Sequence, residues 1–359
     1  MISLLIFGLI GAAAGQSLDS SQGSLRIERI ADGLDIPWGF DFLPDGSVVV
    51  TERGGRLLLL KNGRIEQIKG SPKVMDQGQG GLLDVLVPRD FLHTRRIYLS
   101  YSKRVDRGSA TAVATAKLSE QNNILKGLRD IFIAAPAAES GRHFGSRLVE
   151  GQDASIFVSL GDRGDRQSAQ SLASHQGSIL RLNPDGSSPS SNPFAKQTGV
   201  QPEIWSYGHR NPQGLTFDAD GELWSVEHGA RGGDEVNLIK KGANYGWPII
   251  SYGRHYSGLK IGEGTEKPGL KQPEHYWDPS IAPSNLMVYS GKMWPEWRGD
   301  IFVGSLKFGY IARLSGRPLR EVEQIAGEQT GRIRDLREAP DGSIWFASET
   351  DGAIYRLSR

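Results

Sequence analysis

With no cysteine in 359 residues, the chain cannot form disulfides, thiolate metal sites or a cysteine nucleophile. Its 42 Lys and Arg against 41 Asp and Glu leave a formal charge of +1, so no whole-chain field marks it for nucleic acid or an anionic membrane. Glycine is abundant at 46 and proline ordinary at 18, and the glycines fall singly or in pairs between apolar runs, as in tight turns joining many short strands.

Residues 1–10 are almost wholly apolar, residues 11–15 are Gly and Ala, and a polar stretch follows to Ser24. This is the pattern of a signal peptide with a small-residue cleavage region, although no Lys or Arg precedes the apolar core. The run is shorter than the roughly 20 apolar residues that span a bilayer. We therefore expect an exported protein, periplasmic or secreted, with residues 1–24 as leader and linker and residues 25–359 as a single catalytic domain.

Three segments then repeat one pattern: residues 37–50, 212–224 and 336–347 each run from an apolar alternation through Asp-Gly into a second apolar strand. Asp-Gly between alternating strands predicts a type I′ hairpin, with positive φ at both central positions. In two copies a second turn, Gly54-Gly55 or Asp351-Gly352, leads to a third strand, which makes an antiparallel meander. Further strands are expected at residues 96–101, 110–115, 155–160, 178–182, 300–304 and 310–314, with no amphipathic helix of substance. Two stacked β-sandwiches would accommodate these strands. The meander's return at the start, middle and end favours an all-β propeller whose last strands close beside the first.

The residues that could carry chemistry lie between these strands. His143, in the glycine-flanked turn Gly141-Arg142-His143-Phe144-Gly145, is placed to take a proton from a substrate hydroxyl, or else to serve as a structural hydrogen-bonding residue. The segment from Tyr207 to Pro248 is rich in glycine, carboxylates and exposed carbonyls, which suits a hard cation such as Ca²⁺. Its acids Asp234 and Glu235 could equally be solvated turn residues, and no two histidines have zinc-site spacing. In Gly331-Arg332-Ile333-Arg334-Asp335 strand alternation puts Arg332 and Arg334 on one face. With Lys307 and Arg210 they would form an anion site if they converge, and would otherwise be surface charges paired with Glu338 or Asp335.

Taken in order, Gly78-Gln79-Gly80-Gly81, the His143 turn, Gly161-Asp162-Arg163-Gly164, Gly208-His209-Arg210-Asn211-Pro212, Gly232-Gly233-Asp234-Glu235, Asn244-Tyr245-Gly246-Trp247-Pro248 and the Arg332/Arg334 segment resemble the soluble pyrroloquinoline quinone (PQQ)-dependent aldose sugar dehydrogenases and their quinoprotein glucose dehydrogenase relatives. The resemblance runs from about Ile30 to the C-terminus. It implies a six-bladed β-propeller of four-stranded antiparallel blades that oxidises the anomeric hydroxyl of aldoses to lactones. It makes His143 the general base, with Arg210 and Asp162 as its catalytic partners. Gln79, Arg210, Asn211, Tyr256, Lys307, Arg332 and Arg334 would hold PQQ. One Ca²⁺ would sit on the carbonyls of Gly229 and Ala230, and a second, structural one on Glu235 and Tyr245. The implied partners are an aldose and an external electron acceptor, the chain acting as monomer or dimer. A calcium-dependent propeller lactonase and a non-catalytic carbohydrate-binding propeller are the alternatives. Arg142, where the glucose dehydrogenase has an acid, and Ala230, where relatives often have Pro, depart from the pattern.

Overall fold

Each apolar alternation becomes a strand of an antiparallel sheet, and the turns set where one sheet gives way to the next. The computed structural model describes residues 17–359; the apolar leader expected at the N-terminus lies outside the described residues.

Six sheets form in chain order. Blade 1 is Pro37–Phe42, Val48–Glu52, Leu57–Lys61 and Arg64–Ile68; blade 2 is Leu82–Leu86, Arg96–Val105, Gly108–Leu118 and Leu125–Ile133. Blade 3 is Leu148–Glu150, Ile156–Ser159, Ser178–Leu182 and Ile204–Tyr207; blade 4 is Pro212–Phe217, Leu223–Glu227, Asp234–Ile239 and His275–Trp277. Blade 5 is Pro283–Val288, Ile301–Ser305, Tyr310–Ser315 and Arg320–Ala326. Blade 6 joins the two ends of the chain. Ile333–Glu338, Ile344–Ser348 and Ala353–Ser358 are completed by Gly23–Ala31, and Ser17–Ser20 adds a fifth strand outside it. Part of the stretch set apart as leader and linker is therefore strand. The fold is a six-bladed β-propeller, and among the described residues the α-helix is limited to Phe91–Thr94.

Why the strands are apolar on both sides follows from the packing. A separate buried cluster fills each gap between neighbouring blades: Leu59 and Val85 between blades 1 and 2, Val113 and Val158 between 2 and 3, Ile179 and Leu215 between 3 and 4. Val236 with Val303, Phe302 with Phe346, and Ile354 with Val50 close the remaining three gaps. The ring is thus held by burial at every junction, each fully buried aliphatic side chain contributing about 1.5–3 kcal/mol.

The three Asp-Gly turns differ from the expected type I′ geometry. Gly46, Gly221 and Gly342 have φ of +81°, +81° and +87°, whereas their aspartates are not among the positive-φ residues. Each loop closes with the glycine N–H donating three residues back, to Leu43, Asp218 and Ala339. This is a type I turn followed by a left-handed glycine, a longer loop than the two-residue hairpin. In two of them the aspartate earns its place through its side chain, Asp45 and Asp341 accepting from the N–H of Ser47 and Ser343 at 3.1 and 2.9 Å.

The channel at the centre of the ring is plugged by charge. Arg147, 1% exposed, reaches Asp84 at 3.0 Å and Asp335 at 3.3 Å, and donates to the Gln213 carbonyl at 3.0 Å. Arg337 pairs with the same two carboxylates, and Asn285 donates to Asp335 at 2.6 Å. Asp335 also accepts the Phe40 N–H at 3.0 Å, so every blade contributes a group or is anchored by one.

Candidate active site

In a four-stranded antiparallel blade the second hairpin and the crossover to the next blade fall at the same end. Gln79 and His143 lie on crossovers, as do Arg210 and Arg332; Asp162, His228 and Lys307 lie on second hairpins. One end of the propeller therefore collects all of them, while the Asp-Gly turns mark the other end.

His143 sits at φ +55°, a left-handed conformation that costs a non-glycine residue about 1–2 kcal/mol. Its surroundings hold it there. The His143 N–H donates to Gln79 Oε1 at 2.6 Å, and a Cβ on Gly161 would run into the His143 carbonyl. The imidazole Nδ1 lies 2.6 Å from Asp162 Oδ1. Because a carboxylate only accepts, Nδ1 carries the proton and Nε2 keeps its lone pair. Asp162 is fixed in turn by Trp247 Nε1 at 2.8 Å and the Gly164 N–H at 2.7 Å. Burial pushes the His143 pKa below its ordinary value; the Asp162 hydrogen bond opposes this and the Arg210 charge adds to it. Burial alone would raise Asp162, but the His143 hydrogen bond and charge and the Gly164 N–H pull it below the usual carboxylate range. The pair is therefore a neutral imidazole on an ionised carboxylate at neutral pH.

Arg210 is nearly buried, its guanidinium 5.4 Å from the centroid of the Trp247 ring and 3.2 Å from the His228 carbonyl. Burial depresses its pKa. Asn211 Oδ1 accepts from the Gly145 N–H at 3.2 Å, tying this loop to the His143 turn.

Beside this group lies a cavity of about 210 Å³ lined by Trp38, Gln79, Phe144, Asn211, Arg332 and Arg334 among others. Arg332 and Arg334 converge as expected, but their shared partner is Glu349, at 3.0 and 2.6 Å, and not Glu338 or Asp335. Burial lowers the Arg334 pKa; Glu349 opposes that, while Arg332 and Arg147 reinforce it. Lys307 and Tyr256 line an adjoining open cleft of about 750 Å³ with Ala230. A further groove of about 260 Å³ reaches the Asp-Gly end at Gly46 and holds none of the expected site residues.

The candidate cation residues fall into two places. Ala230 borders the open cleft, and Gly229, whose N–H donates to Asp234 at 2.8 Å, sits in a turn where a Cβ would run into the Gly232 and Gly233 carbonyls. Glu235 and Tyr245 line a small void of about 10 Å³ together with Glu227. Burial, and then the neighbouring Glu227 carboxylate, push Glu235 up to about 8. The Tyr245 hydroxyl is already committed, donating to the Leu238 carbonyl at 2.6 Å and accepting from the Lys240 N–H at 2.8 Å, which leaves its main-chain carbonyl as a ligand atom. Among the described residues no three His, Asp or Glu side chains converge to hold a metal, so any cation here leans on carbonyl oxygens.

Sequence reasoning missed several residues of the site. Trp247, in the sequence only one member of a motif, anchors Asp162, while Trp38 and Phe144 supply the cavity's flat apolar lining. His228 borders both the cavity and the small void. Its Nε2 lies 2.6 Å from the Pro283 carbonyl, and burial pushes it down to about 3, so it stays neutral. Its signal in the sequence is its place in Glu227-His228-Gly229, inside the glycine- and carboxylate-rich segment.

The chain matches the family model described as Glucose / Sorbosone dehydrogenase over residues 34–356. It is 40% identical over 352 residues to the aldose sugar dehydrogenase YliI of Escherichia coli (strain K12), covering 95% of each chain. The crystal structure of the soluble aldose sugar dehydrogenase from Escherichia coli in the apo-form superposes with a TM-score of 0.90 at 39% identity, covering 93% of this chain and 99% of that one. The PQQ-bound form of an aldose sugar dehydrogenase from Streptomyces coelicolor gives a TM-score of 0.77 at 25% identity, covering 93% and 98%. On residues 34–356 the chain belongs to the glucose/sorbosone dehydrogenase family.

Proposed function

We propose that this protein is an exported, PQQ-dependent aldose dehydrogenase that converts the anomeric hydroxyl of a sugar to a lactone. The observation that carries the reading is the neutral His143 held on Asp162 beside a cavity lined by both arginines and aromatic rings.

The residues fit the cofactor. Arg332 and Arg334, which share Glu349, and the neighbouring Arg210 and Lys307 supply positive charge suited to the three carboxylates of PQQ, and Trp38 and Phe144 offer faces for its planar rings. Gln79, Asn211 and Tyr256 would complete the hold. They fit a cation too, since a carboxyl raised to about 8 beside a second carboxylate is a site where bound positive charge is favourable. Bound PQQ would supply the quinone that accepts the C1 hydride, and Ca²⁺ on the Gly229 and Ala230 carbonyls would polarise it.

The chain's own residues do the rest. His143 Nε2 takes the proton of the anomeric hydroxyl while Asp162, through Nδ1–H, stabilises the imidazolium that forms. Arg210, already desolvated, presents its charge where negative charge develops, with Asn211 beside it, and needs no reorganisation at the moment of reaction. Trp38, Leu83 and Phe144 give the cavity an apolar wall that offers water no hydrogen-bonding partner apart from the indole N–H.

Two measurements test the occupants separately. Titrating PQQ into Ca²⁺-loaded protein is expected to quench tryptophan emission saturably, because Trp38 and Trp247 border the site; a linear, non-saturating response would rule out a built cofactor site. For the cation, a folded-state pKa raised to about 8 means Glu235 contributes stability that is present at pH 4 and lost as pH rises toward 8. Ca²⁺ is therefore expected to raise the melting temperature more at pH 8 than at pH 5, and an equal shift at both would refute Glu235 as a ligand.

A further inference from the structure

Two basic side chains at the mouth of the site have no part in the chemistry above. Arg231 and Arg254 face each other across an antiparallel bridge, each N–H donating to the other's carbonyl, at 3.0 and 3.1 Å. Directly opposed residues of such a pair project from the same face with Cβ atoms about 5 Å apart, and like charges placed there repel. Both are exposed, and among the described residues neither has a carboxylate within ion-pair distance. With Lys307 and Tyr256 they line the open cleft, whose one acidic lining residue is Asp278. The whole chain carries only +1, so this is a local concentration of charge.

Large apolar side chains are exposed in the same loops. Tyr256 and Leu259 are 72% and 68% exposed, and Phe308 is 51% exposed with the Lys307 ammonium 4.7 Å from its ring centroid. Aromatic side chains set where positive charge outnumbers negative are the composition of a docking surface that steers an acidic partner.

Resting on the proposed quinone chemistry, the open cleft lined by Lys307 and Tyr256 is the side from which a carrier would reach the bound quinone. Oxidising one aldose to a lactone releases two electrons and two protons, and a chain with no cysteine carries neither an iron–sulfur cluster nor a covalently attached haem to receive them. We propose that the Arg231/Arg254 face, with Phe308, Leu259 and Tyr256, is the docking surface for a small acidic one-electron redox protein. Two carrier molecules dock in succession for each sugar oxidised, each is reduced by one electron, and the two protons pass to water.

The probe is cytochrome c in two forms, the basic native protein and the same protein made acidic by succinylation of its lysines. With the reconstituted enzyme and an aldose, the acidic form is expected to be reduced about 10-fold faster at low ionic strength, with the advantage gone near about 0.5 M salt. In the double variant Arg231→Glu, Arg254→Glu the preference reverses while reduction of a small neutral dye is unchanged. Calorimetric titration of the cofactor-free protein with each form gives the same order of affinity. Equal rates with both forms, reduction of neither while the dye is reduced, or a double variant that behaves as the parent would overturn the docking surface. Failure of the parent enzyme to reduce the dye would instead strike the dehydrogenase reading itself.

Discussion

Replacing His143 by Asn is expected to lower kcat for aldose oxidation about 1,000-fold, within the range set by loss of a positioned general base, while PQQ affinity changes little. Asn is the informative substitution because it tolerates the left-handed backbone that His143 adopts at φ +55° and keeps the N–H bonded to Gln79. A variant with near-parent kcat would remove His143 from the mechanism. The pH profile adds an independent reading. Burial holds the His143 pKa below its ordinary 6.5, so the acid limb of kcat/KM falls below that value. The Asp162 contact raises the same pKa, so Asp162→Asn is expected to move the limb to still lower pH. A limb that stays in place would mean that the carboxylate does not act through the imidazole.

The second large effect is on stability. Arg147→Met is expected to cost about 3–5 kcal/mol, read as a lower denaturant midpoint at unchanged slope, because it strands buried carboxylates while their partner is removed. Asp84 and Asp335 are both fully buried, and burial already pushes Asp84 above the usual carboxylate range against the Arg147 and Arg337 charges. The loss extends to the site, since the Arg147 guanidinium lies 4.5 Å from the centre of the Trp38 ring that lines the cavity. A variant as stable as the parent would show that the channel charges are solvated and carry no structural load.

These two effects differ in how far the sequence foretold them. Local pattern carried the blades: the Asp-Gly loops at Gly46, Gly221 and Gly342 stood out because glycine is the residue that takes positive φ freely, although the sequence did not separate a type I turn with a left-handed glycine from a type I′ turn. His143, Arg210, Arg332 and Arg334 were legible through order and spacing of motifs, whereas Glu349, which joins the two arginines, lay in an unremarkable turn. The channel plug was invisible. Asp84 and Arg147 each appear as one charged residue among apolar ones and Asp335 as one of a run of charges, the patterns of solvent-facing side chains, and only closure of the ring brings them together on its axis. Trp38 and Trp247 were hidden for a similar reason, because an aromatic residue in a β-rich chain reads as core until its neighbours are known.

The central claim is that the site turns over aldoses with a quinone. The most direct measurement is dye reduction by purified protein with a panel of aldoses, before and after addition of Ca²⁺ and PQQ, with lactone identified as the product. Activity that appears only on reconstitution, with one lactone formed for every two electrons delivered to the dye, is the predicted result. No turnover on any aldose by protein shown to be folded and loaded with both cofactors would contradict the account.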